Sequence, residues 1–128
     1  MKIRLTNEID LGGQMEVVDQ IFPVDVTEKA GKIYLVYTND EGEKVILKCD
    51  AEEMTMTRYS EPKTVMRFHR DQEMLVALPT PMGMQYLVTD TKTYSFEPNE
   101  QNLSLSYDLK QEESNGIFAS YQLEISWG

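Results

Sequence analysis

Cysteine and histidine each occur once in these 128 residues, as Cys49 and His69. One cysteine excludes an intramolecular disulfide, and one histidine beside one thiol cannot furnish a structural zinc site or a multi-histidine metal site. Basic residues are scarce too. Twelve Lys and Arg stand against 22 Asp and Glu, for a formal charge of −10. That field opposes phosphate backbones, whose binding depends on Lys and Arg displacing counterions, so nucleic acid is not an expected partner. No apolar run approaches the ~20 residues of a membrane span. Met1–Leu11, interrupted by Glu8 and Asp10, lacks the continuous apolar stretch of a signal peptide. The expectation is a cytoplasmic protein without a membrane partner. Also missing are the Gly-x-Ser-x-Gly elbow, the phosphate-binding Gly-Lys-Ser/Thr loop and the dinucleotide fingerprint. Helical periodicity is absent apart from, at most, a short turn near Asp50–Glu53.

What fills the chain is alternation. Leu103, Leu105, Tyr107 and Leu109 share one side of Asn102–Lys110, and Ile117, Ala119, Tyr121, Leu123, Ile125 and Trp127 share one side of Gly116–Trp127. A period of two puts every second side chain on the same face of a pleated strand, so each segment reads as a strand with one buried face. The same pattern marks Lys2–Ile9, Lys32–Thr38, Glu43–Cys49, Glu53–Arg58, Thr64–Arg70, Glu73–Leu78, Met84–Asp90 and Thr93–Phe96. Asn39-Asp40-Glu41-Gly42 is a hairpin turn, Pro79–Gly83 a stiff bend and Gln111–Asn115 a polar loop. Gln14–Glu28 changes phase beside Pro23: Met15, Val17 and Ile21 share one face, then Phe22, Val24 and Val26 the next. Such a slip is what a bulge or sharp bend produces, and it lets a sheet turn a corner. Roughly nine to eleven short antiparallel strands joined by tight turns, depending on how the long ones divide, make a single all-β domain over residues 1–128. Closure removes edge strands, which favours an antiparallel meander barrel of about 8–10 strands.

Several segments together carry a family resemblance. They are Glu53-Met54-Thr55 running up to Arg58, Met66 and Phe68 within Val65–Arg70, and Thr80-Pro81-Met82-Gly83. Ser104–Leu109 and the closing Tyr121–Ile125 complete the set. In this order and spacing, over essentially the whole length, the chain resembles the YwiB-like bacterial family, small proteins grouped as a domain of unknown function. The resemblance implies a lipocalin-like (calycin-type) β-barrel in the cytoplasm of a low-GC Gram-positive-type bacterium, and it implies no activity. The chain departs from true lipocalins: Gly-x-Trp is missing near the N-terminus, and the one tryptophan is Trp127.

No catalytic residue can be nominated and no cofactor is implied. His69 lies on the face shared by Val65 and Arg67, with no advertised nucleophile or acid beside it, and reads as a surface or edge histidine. Glu52-Glu53 and Glu112-Glu113 are adjacent, so in a strand their carboxylates point to opposite faces, and both pairs sit at loops or strand ends. Cys49 shares the side of Val45 and Leu47 and reads as buried.

Arg58 is more informative, because it is in phase with Met54 and Met56. Inside a barrel its guanidinium would suit a carboxylate or phosphate head group; the plainer alternative is a rim position paired with an acid such as Glu61. Arg67, opposite Met66 and Phe68, reads as outward. Eight methionines and seven tyrosines, with Met54, Met56, Met66, Met74, Met82 and Met84 in the middle third, fill either an ordinary core or an adaptable pocket.

Three readings follow. In the first, a non-catalytic barrel binds a small amphipathic ligand against Met66, Phe68, Met84, Tyr107 and Tyr121, with Arg58 at the polar end. In the second, a filled barrel docks a protein partner or a second copy, as the two-sided apolar strands Ile33–Tyr37 and Met74–Leu78 suggest. In the third and weakest, the barrel hosts an enzyme of unrecognised type.

Overall fold

A computed structural model describes residues 1–114 and 116–128; Asn115, at the end of the polar loop read from the sequence, lies outside them. Eleven strands form: β1 (Lys2–Asp10), β2 (Met15–Pro23), β3 (Asp25–Lys29), β4 (Lys32–Thr38), β5 (Lys44–Cys49), β6 (Glu53–Arg58), β7 (Thr64–His69), β8 (Met74–Thr80), β9 (Gly83–Glu97), β10 (Asn102–Gln111) and β11 (Ile117–Trp127). They make two antiparallel sheets, β2-β1-β11-β10-β9-β8 and β3-β4-β5-β6-β7. The chain passes from one sheet to the other twice, between β2 and β3 and between β7 and β8. Every strand otherwise neighbours its sequence neighbour, and β1 pairs with β11. This is a curled meander of the lipocalin-like barrel type. No helix among the described residues is long and apolar enough to cross a membrane.

The first corner is the predicted one. Pro23 ends β2 and cannot donate to a ladder; Val24 instead donates its N–H to the Met1 carbonyl at 3.0 Å, and the next residue opens β3. Phe22 and Val24 are buried, whereas Met15, Val17 and Ile21 face solvent. The phase slip therefore separates an outer face from an inner one.

Two local expectations are corrected. Asp50–Glu53 contains no helical turn. Asp50 Oδ1 accepts the N–H groups of Glu52 and Glu53 at 2.8 and 2.9 Å, a side-chain-capped bend. The helical turn among the described residues is a 3₁₀ turn at Pro98–Glu100. Met84–Asp90 and Thr93–Phe96 are also one strand, not two. Ser106 pairs with Thr93 and Tyr107 with Thr91, so Lys92 is an extra residue that the ladder absorbs as a bulge. The bulge moves the inward set from Leu87 and Thr89 to Tyr94 and Phe96.

The core is the sum of the inward sides. Ile3, Leu5, Ile33, Leu35, Val45, Leu47, Met54, Phe68, Leu103, Leu105, Leu123, Ile125 and Trp127 join one buried cluster with Cys49. Each fully buried aliphatic or aromatic side chain contributes on the order of 1.5–3 kcal/mol. Burial pushes the Cys49 thiol up to about 12, which leaves it a small hydrophobe. Ile3 sits opposite Trp127 and Leu5 opposite Ile125, so the closing seam is as apolar as the rest.

Candidate functional site

One end of the barrel is not filled. Residues of β1, β2, β4, β5, β6, β7, β10 and β11 surround a cavity of about 380 Å³, with Asn39, Asp40 and Glu41 of the β4–β5 turn also lining it. Its apolar wall is Leu5, Val18, Tyr37, Val45, Met56, Met66, Phe68, Tyr107 and Leu123; its polar members are Asn7, Gln20, Asn39, Asp40, Glu41 and Arg58. Among these, Gln20 Nε2 donates to Asp40 Oδ2 at 3.3 Å.

The aromatic wall is braced from behind. Phe68 meets Tyr107 with ring centroids 4.5 Å apart, Tyr107 stacks on Tyr121 at 4.6 Å, and Phe22 stacks on Tyr37 at 5.2 Å. Such pairs hold their rings by more than area burial alone, so the wall is largely preformed. Burial also holds these phenols protonated: the Tyr37 hydroxyl is pushed up to about 12, and that of Tyr107 higher still.

Arg58 ends β6 opposite Val45, in the inward phase, and lines the mouth. Its side chain is 47% exposed and its Nε lies 3.7 Å from Glu43 Oε1. The acid beside it is therefore Glu43 rather than Glu61. Glu43 is held in turn by Asn39, whose Nδ2 donates to it at 3.1 Å.

Of the six nominated ligand-site residues, the fold gathers Arg58, Met66, Phe68 and Tyr107 around this cavity. Tyr121 touches it through the Tyr107 stack and lines a neighbouring hollow of about 370 Å³ with Glu8, Asp10, Lys92 and Asp108. Met84 is not brought there. It opens the ascending arm of the β8–β9 hairpin opposite Pro79 and is 54% exposed. Leu87 and Thr89 are the buried residues of that arm, so the even positions 84, 86 and 88 point outward. The expectation of Met84 in the pocket is corrected on that ground. Arg67 is exposed, as its phase predicted, and His69 Nδ1 accepts the Asp71 N–H at 3.1 Å at the β7 turn.

Sequence reasoning missed Asn7, Tyr37, Met56, Asp40 and Glu41 as members of one site. Asn7 carried a signal: it is the one polar residue in the inward series Ile3, Leu5, Asn7, Ile9. Its Oδ1 is buried with no hydrogen-bond partner among the described residues. Asp40 and Glu41 were legible only as turn residues, because nothing local says which cavity a turn overhangs. No group of three or more metal-ligating side chains occurs among the described residues.

The comparisons with known proteins bear on the scaffold. A solved structure, the ywiB protein from Bacillus subtilis, is similar over 99% of this chain and 90% of its own, with a TM-score of 0.78 at 23% identity. At that identity the likeness shows a shared fold. A search of the curated proteins found no match. The family model described as "Domain of unknown function (DUF1934)" matches residues 3–125. With nearly every strand inside that match, the chain belongs to the DUF1934 family.

Proposed function

We propose that this barrel is a binding protein that takes a small amphipathic molecule into its open end. The observation that carries the reading is the cavity of about 380 Å³ whose apolar, aromatic- and methionine-rich wall carries a few polar side chains, among them Asn7, Asp40, Glu41 and Arg58. Ligand sites are typically concave and mostly apolar, with a few placed polar groups. Methionines at 56 and 66 let the wall adapt to more than one shape.

A neutral fluorescent probe such as phenylnaphthylamine tests the reading. Its emission should rise on addition of the folded protein and should be lost with Met66→Trp, which fills the cavity, while Tyr86→Glu on the outer surface leaves it unchanged. A signal that survives Met66→Trp in a protein with native circular dichroism, or that never appears, overturns the cavity as a binding site.

A second reading rests on a separate observation. Leu75, Met84 and Tyr86 are exposed on the outer face of the β8–β9 hairpin, and Met82 stands at its tip. Val88, opposite Leu75, lies on the same face, and Ile117 stands beyond Lys110 in that cross-strand row. An exposed apolar face on the β8–β9 hairpin suits a second copy of the chain.

A further inference from the structure

The charge around the mouth identifies the kind of head group, an inference that rests on the cavity reading. From the sequence, an inward Arg58 would suit an anion, and an Arg58 at the rim would pair with a surface acid. The folded arrangement points away from an anion. Arg58 already has Glu43 at 3.7 Å, and the other two charged residues lining the cavity, Asp40 and Glu41, are both acids. With Glu43 beside them the mouth holds three carboxylates against one guanidinium, on a protein whose formal charge is −10. An anion entering there would displace Glu43 from Arg58 and meet two further carboxylates. A cation leaves that pair intact and is attracted at every distance, by local and overall charge alike.

Two further observations agree. Asn7 lines the cavity and its Oδ1 is a buried acceptor without a donor among the described residues; a ligand bearing N–H groups can supply one and a carboxylate cannot. The wall presents Tyr37, Phe68 and Tyr107, and aromatic faces attract ammonium groups more than carboxylates. We infer that the ligand is an amine-bearing amphiphile, a protonated primary or secondary amine on an apolar or aromatic body. The ammonium lies at the Asp40–Glu41 side of the mouth and the body lies against Met56, Met66 and Phe68.

Three eight-carbon probes that differ only in their head separate the possibilities: octylamine, octanol and octanoate, each titrated below its aggregation concentration into the full chain labelled at its methionine methyl groups. The readout is movement of the Met56 and Met66 methyl resonances. At low salt octylamine should bind at least about tenfold tighter than octanoate, and the gap should narrow as added salt screens the mouth. In the Asp40→Asn, Glu41→Gln double variant the gap should shrink to about twofold or less, with octanol affinity unchanged. Octanoate binding as well as or better than octylamine, while octanol also moves the same methyls, overturns the amine assignment and leaves the cavity reading standing. If none of the three moves them, the cavity reading fails and the amine assignment fails with it.

Discussion

Thr89, Thr91 and Asn7 are polar residues set among apolar ones, and their different fates follow from what each oxygen meets. Thr89 is fully buried where the two sheets part. Its hydroxyl donates to the Arg67 carbonyl at 2.5 Å, with the Met74 carbonyl at 3.4 Å, so one side chain ties β9 to both β7 and β8. Thr91, two residues on, has a buried hydroxyl oxygen with no partner among the described residues. Replacing each by valine, which keeps the shape, should separate them. Thr89→Val should lower the unfolding free energy by about 1–3 kcal/mol, because the Arg67 carbonyl loses its donor. Thr91→Val should be neutral or slightly stabilising, since only an unpartnered hydroxyl is lost. Urea midpoints at unchanged slope check both, and a Thr91→Val loss as large as that of Thr89→Val would show the reading of these two hydroxyls to be mistaken. None of this was legible beforehand, because an inward threonine looks like any other interruption of an alternating pattern. Met84 shows the opposite failure. Gln85-Tyr86-Leu87-Val88 carries apolar residues on both sides, so the local pattern gives no phase, and only the burial of Leu87 and Thr89 decides it.

At the scale of elements the sequence was far more explicit. β4 and β6 begin and end where the alternation does, and β1, β5, β7 and β10 lie within one residue of it. The Pro23 corner was visible as a phase slip, whereas the Lys92 bulge was read as a break between strands, because Thr91-Lys92 looks like a polar turn. That bulge sits beside an ion pair between β9 and β10. Asp90 accepts from Lys110 at 2.6 Å and from Lys92 at 2.8 Å. The hydrogen bonds from Lys110 and then Lys92 hold its carboxyl below the usual 3.8, outweighing the effect of burial. A carboxyl whose folded value lies below its unfolded one favours the fold above the unfolded value, and that contribution is lost as pH falls through the folded one. Stability should therefore drop below about pH 4, and Asp90→Asn should both lower stability at neutral pH and make the acid limb shallower. Chemical denaturation followed between neutral pH and about pH 2 measures the two slopes. Parallel curves offset by a constant would mean that Asp90 is not among the groups that set the acid limit.

For the molecule as a whole, the two candidate surfaces lie on different sides of the barrel wall and can be tested separately. If the outer face of the β8–β9 hairpin joins two copies, sedimentation should show a concentration-dependent dimer. A Met84→Glu, Tyr86→Glu double variant should remain monomeric at every concentration, because four like charges would then face one another across a two-fold axis. A wild-type protein that is monomeric throughout rules this surface out as a self-association site. The inner cavity has a different dependence, on closure. β1 and β11 run side by side along their length: Ile3 lies opposite Trp127, and Lys2 and Gly128 exchange backbone hydrogen bonds at 3.0 and 3.3 Å. The seam that helps wall the open end thus joins two stretches far apart in the sequence. Leu5 and Asn7 reach the cavity from one stretch, and Leu123 from the other. Pairings of such long separation are slow to form, since the loop they close must be ordered before they add stability. The cavity is complete only when β1 and β11 have paired, so a molecule that fits it would report that pairing.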